Sequence, residues 1–192
     1  MRGIQLLAGF AAVLGVTSAA SGHEPRELEG GITLVVGFRN EPAYEDQINA
    51  VDVFVQRTAD GSGLIGAGDR VELAVEVQLR RDDAIDAEVL DSALLATPRL
   101  AFGTEDRYNA WFRPTADGAY GFHVTGVIQD VSNGGEEIEV DETFVCRGGS
   151  QNPEGRSFGC VEDPQSFPRL RVEERTGHDT SSYRDTDIFS LE

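Results

Sequence analysis

Along most of the chain apolar and polar residues alternate with a period of two, the pattern of strands with one buried and one wet face. It is clearest from Val71 to Arg80. There Val71, Leu73, Val75, Val77 and Leu79 fall on one face, and Glu72, Ala74, Glu76, Gln78 and Arg80 on the other. Val51 to Arg57 alternates likewise, with Val51, Val53 and Val55 together. Ile32 to Phe38 is a mostly apolar run with β-branched residues, lying between glycines, and is expected to be the first strand. Glu136 to Cys146 is expected to be the last long strand, turned by Asn133-Gly134-Gly135. Residues 81–102 are less regular. Asp86 to Leu90 has helical propensity, but the surrounding pattern favours a strand over Glu88 to Ala96. His23 to Glu27 is polar and is expected to be extended.

The stretch from Arg107 to Ile128 organises this pattern. Tyr108, Ala110 and Phe112 share one face, and Asn109, Trp111 and Arg113 the other. Pro114 cannot donate to a ladder and should end the strand. Asp117-Gly118 supplies a residue that tolerates positive φ where the chain reverses. Beyond it Tyr120, Phe122 and Val124 share a face, with Gly121, His123 and Thr125 opposite. The expectation is a β-hairpin near the centre of a sandwich. Asp117, Gly118 and Tyr120 also match the tyrosine corner of Greek-key sandwiches, with Phe122 where immunoglobulin domains place a cysteine. About seven strands separated by turn signals predict an all-β fold, an immunoglobulin-like sandwich of two antiparallel sheets.

The ends of the chain differ from this body. Arg2 precedes an apolar run from Ile4 to Val16 and then small residues, which predicts a cleaved signal peptide and cleavage region over residues 1–22. The apolar run is too short to span a bilayer, and no later stretch reaches the ~18 apolar residues a membrane helix needs. The mature protein is therefore expected to be secreted or periplasmic, with no transmembrane segment. The sandwich should occupy residues 23–168. Residues 169–192 are rich in Arg, Glu, Asp, Ser and Thr, which predicts a flexible acidic and polar tail.

Charge narrows the partners. The formal net charge is -18, with 34 acidic residues, and all 16 basic residues are arginine. Such a surface argues against nucleic acid, whose affinity comes from neutralising phosphates, and favours cations. It fits either adaptation to high salt or the bias of an acidic exported protein. The two cysteines, Cys146 and Cys160, predict a disulfide in an oxidising compartment. It would close the loop Arg147 to Gly159, whose Gly, Ser, Asn, Pro and Glu build little core, and would contribute about 3 kcal/mol.

Val51 to Arg57 with Asp60-Gly61, Val71 to Leu79, and Tyr108 to Phe122 with Pro114, Thr115, Gly118 and Tyr120 occur in a familiar order. Over about Gly31 to Thr125 the chain resembles small exported sandwich domains of the YtkA-like and CopC-like kind. The resemblance implies an immunoglobulin-like sandwich. In CopC-like domains it implies copper ligands near the mature N-terminus, where His23 stands in the comparable place. Met1 is the single methionine, so the methionine-rich copper(I) segment of some members is absent.

The residues themselves offer few centres of chemistry. Cleavage after Ala20 would begin the chain Ser21-Gly22-His23, whose amine, two amides and imidazole suit square-planar copper(II) or nickel(II). Cleavage after Gly22 would make His23 the terminus, chelating through amine and imidazole beside a second histidine. His123 is the other histidine of the predicted sandwich and should face solvent. His23 and His123 are thus the metal candidates; the competing reading is a surface histidine and a disordered N-terminus that happens to contain one. His178 falls in the expected tail. Asp82, Asp83, Asp86 and Glu88 could hold calcium, but without EF-hand spacing a solvated acidic turn is simpler. There is no Gly-x-Ser-x-Gly elbow, His-Glu-x-x-His, P-loop or dinucleotide fingerprint, so no catalytic residue is assigned and no enzyme is expected. The expected function is an exported non-catalytic binding or accessory domain, an interaction module working through loops at one end of the sandwich. The alternative is a copper(II)-binding protein using its mature N-terminus.

Overall fold

The computed structural model describes residues 22–147 and 157–164. The expected signal peptide falls outside them apart from Gly22, and so does the expected tail. The alternating runs form strands: β1 (His23–Leu28), β2 (Ile32–Phe38), β3 (Asn49–Arg57), β4 (Arg70–Arg80), β5 (Val89–Leu94), β6 (Arg99–Leu100), β7 (Arg107–Phe112), β8 (Ala119–Gln129) and β9 (Glu137–Val145). The helical elements among the described residues are two single 3-10 turns, Glu29–Gly31 and Val131–Asn133. None is long and apolar enough to cross a membrane.

The strands make two antiparallel sheets, ordered β1-β2-β3-β7-β6 and β5-β4-β8-β9. Set β1 aside and the orders are those of immunoglobulin strands A-B-E-D and C′-C-F-G. Nine strands stand where about seven were expected. The two extra are β1, an edge strand whose polar residues hid it, and β6, which is two residues long. The irregular segment before residue 96 forms a strand rather than a helix, though all six residues of β5 are exposed.

One expectation is corrected. Arg107 to Ile128 is not a hairpin: β7 belongs to the first sheet and β8 to the second, and the two do not pair. Alternation identified both strands and their faces, but carries no information about the partner. The connection crosses from sheet to sheet, as the E–F connection of an immunoglobulin sandwich does. Gly118 sits there at φ 123°, a conformation that disfavours a side chain. The Tyr120 hydroxyl donates to the Ala116 carbonyl at 3.0 Å, which is the geometry of a tyrosine corner.

The inward faces fill the space between the sheets. Leu34, Val36, Val53, Val75, Phe122 and Val124 are among the fully or almost fully buried residues. At one end Phe38, Phe112, Tyr120, Phe122 and Phe158 form an aromatic cluster, with Phe158 stacked on Phe122 at a centroid distance of 4.8 Å. Phe158 reaches this place because Cys146, just past β9, is disulfide-bonded to Cys160. At the opposite end Arg57, closing β3, donates to Asp69 and Asp130 and ties the two sheets.

Candidate binding face

Alternation sends Asp52 out of the core, because Val51 and Val53 on either side point in. An outward aspartate in mid-strand should be solvated, yet Asp52 is 0% exposed. Its neighbours on the outer face of the first sheet explain this. The register sets His23, Gly37, Asp52, Asn109 and Arg99 in one row across five strands. Arg107 and Asn109 of β7 each donate to one carboxylate oxygen of Asp52. From β1 the His23 Nε2 comes within 3.5 Å, and Arg39, just past β2, within 4.0 Å.

Gly37 makes the approach of His23 possible. A Cβ built at Gly37 would lie 2.1 Å from the Gly22 carbonyl and 3.0 Å from the His23 ring. With no side chain on β2, the imidazole reaches over that strand toward Asp52. It packs edge-on against Phe54 at 5.4 Å, and its Nε2 is buried without a hydrogen bond. Burial alone would raise the Asp52 carboxyl, but His23 and Arg107 outweigh it and hold the group below the usual carboxylate range. Asp52 in turn raises the Arg107 guanidinium.

Above this buried layer lies an open groove of about 420 Å³, bounded by Arg39, Thr97, Arg99, Phe102, Asn109 and Trp111. Arg39 donates to the Asn109 amide oxygen at 2.5 Å and stacks its guanidinium over Trp111 at 5.3 Å. Trp111 remains 54% exposed, and Leu100 and Phe102 beside it are exposed as well. A buried carboxylate thus fixes Asn109, which fixes Arg39, which orients the indole. The arrangement offers a pre-set apolar ring with cations at its margin. The expected working surface, loops at one end of the sandwich, includes none of Asp52, Arg107 or Asn109. The available signal was an aspartate inside the apolar run Val51-Asp52-Val53, opposite polar residues at alternate positions of β7.

The candidates named from sequence are dispersed. His23 lies on the outer face of the first sheet and His123 on the outer face of the second, so the sandwich separates them and they do not share one ion. His123 stands between Asp141, 2.7 Å from Nε2, and Glu76, 3.6 Å from Nδ1. Asp117, Gly118 and Tyr120 lie at the crossing from β7 to β8, where the Tyr120 hydroxyl makes the corner bond. Asp82 accepts from the Ala84 amide and Glu88 pairs with Arg81. Among the described residues no three histidines, cysteines or carboxylates converge as a metal site. A larger cleft of about 550 Å³ between residues 27–30 and β9 is lined mainly by glutamates, including Glu27, Glu29, Glu136 and Glu139.

No profile of a known protein family matches the chain, and no curated protein matches it.

Proposed function

We propose that the chain is an exported, non-catalytic binding module that takes its ligand on the outer face of its first sheet. The observation that carries this reading is the groove over Asn109. There an exposed tryptophan lies under Arg39, which a fully buried carboxylate holds through Asn109, and Arg99 stands beside them. Burying Asp52 is costly unless it is fully partnered, and two of the partners it gathers, Asn109 and Arg39, line the groove. Export is supported by the leader-like first 22 residues and by the disulfide. The resemblance to YtkA-like and CopC-like domains is supported by the sandwich layout and the corner at Tyr120.

The test is retention of material from the exported fraction on the immobilised domain. Wild type should retain a species that Trp111→Ala and Arg99→Glu lose, while His123→Ala on the opposite face keeps it. Equal retention by all four would contradict the reading.

The copper(II) reading takes second place on geometry. Either chelate at the terminus uses the backbone of residues 21–23 with the imidazole. In the structure the His23 backbone pairs with Gly37 and its ring lies between Phe54 and Asp52. Copper would have to draw the start of β1 off the sheet. Equilibrium dialysis with copper(II), on the chain with its natural terminus and on His23→Ala, tests it.

A further inference from the structure

We propose that the groove beside Trp111 binds a saccharide bearing a single uronic-acid carboxylate among neutral sugars. This rests on the first-sheet face being the binding surface, and adds the class of ligand.

Arg99 carries the argument. In a chain of net charge -18, most arginines of the described residues are taken up by acids. Arg26 pairs with Glu24 and Glu142, Arg57 with Asp69 and Asp130, Arg70 with Glu137, Arg81 with Glu88, and Arg113 with Asp46. Arg99, directly opposite Asn109 in the ladder and on the same face, makes no ion pair or hydrogen bond among the described residues. Arg39 has one donor on Asn109 and lies 4.0 Å from Asp52, whose own charge is met by Arg107. The groove wall therefore keeps surplus positive charge, with guanidinium forks free to take a carboxylate through two parallel bonds.

The other features fit a sugar. The volume of about 420 Å³ lies in the small-ligand range of roughly 300–1,000 Å³. The half-exposed indole of Trp111, held by Arg39, presents a flat apolar surface of the kind the C–H face of a pyranose covers. Thr97 and the remaining arginine donors can meet ring hydroxyls. A peptide adding to the edge of β6 would find a ladder two residues long, too short to hold it. A polyanion would be repelled by the acidic remainder of the chain, so one carboxylate among neutral units suits the site better.

Trp111 is the single tryptophan, so its fluorescence reports this groove alone. The mature chain is titrated with a glucuronic-acid-substituted xylotriose, with the same oligosaccharide after reduction of its carboxyl, with polygalacturonate, and with a short acidic peptide. The glucuronate ligand should shift the Trp111 emission and bind about 10-fold or more tighter than its reduced form, as expected for loss of one charge-assisted contact. Arg99→Gln should remove that difference, so that the acid and its reduced form bind alike. Trp111→Ala, followed by calorimetry, should lose both ligands, and His123→Ala neither. Equal affinity for the acid and the reduced sugar, a preference for polygalacturonate or the peptide, or no response to either oligosaccharide would overturn the proposal. If the oligosaccharides fail while retention of exported material still depends on Trp111, the ligand class is wrong and the binding face stands. If both fail, the face reading falls with it.

Discussion

Asp52 shows how one residue joins stability to the binding face. Its oxygens are met by Arg107 and Asn109, so an amide in place of the carboxylate, with one acceptor oxygen instead of two, leaves one of these donors unmet. Asp52→Asn should destabilise the domain by roughly 2–3 kcal/mol, less than a fully buried pair because Arg107 keeps some solvent contact. Urea unfolding measures it, and a loss under about 0.5 kcal/mol would mean the network is slack. Asp130 predicts a pH dependence. Arg57 first, then Ser132, hold its carboxyl at about 2, against roughly 3.9 in an unfolded chain. A depressed carboxyl contributes stability above its unfolded value and loses it as pH falls toward its folded value. Thermal unfolding should therefore weaken between about pH 5 and pH 2. Asp130→Asn should flatten that limb by on the order of 2 kcal/mol while starting from lower stability at neutral pH. A variant with the wild-type acid limb would show that Asp130 is not the group responsible.

At the scale of elements, the crossing from β7 to β8 and the segment that follows β9 close one end of the sandwich. Tyr120→Phe should cost about 1 kcal/mol through the bond to Ala116, and Tyr120→Ala about 3 kcal/mol or more through lost burial. His123→Ala, on the outer face, should stay near zero. Replacing Cys146 and Cys160 together with alanine should cost about 3 kcal/mol from the lost loop constraint alone, read by denaturant midpoints. These elements also show what the chain made legible. Alternation placed β3, β4 and β8, and an apolar run and a turn signal placed β2 and β9, each to within a residue or two. The pairing of β7 was not legible, since a six-residue connection containing Pro114 suits a hairpin and a crossing equally in sequence. The aspartate, glycine and tyrosine of the corner were the better guide. β1 was missed as a strand because it is an edge with few core positions. The binding face was missed because its logic is lateral. Asp52, Asn109 and Arg99 become neighbours only when three strands come into register.

At the scale of the whole molecule, a net charge of -18 lies on a scaffold whose two sheets are sealed by apolar packing and by Arg57. Self-repulsion of this size is screened by salt. The melting temperature should rise between about 0.05 and 1 M NaCl, and an unchanged value would mean that surface acids cost the fold little. The two broad outer faces differ sharply. One carries Trp111, Phe102 and the arginines, the other His123 between Glu76 and Asp141. Hydroxyl-radical footprinting of the chain in its own exported fraction compares the faces directly, without knowing the ligand. Oxidation of Trp111 and Phe102 should fall several-fold relative to the isolated domain, with His123 and Leu94 unchanged. Full oxidation of Trp111 and Phe102, together with protection of His123, would place binding on the second sheet and contradict the assignment.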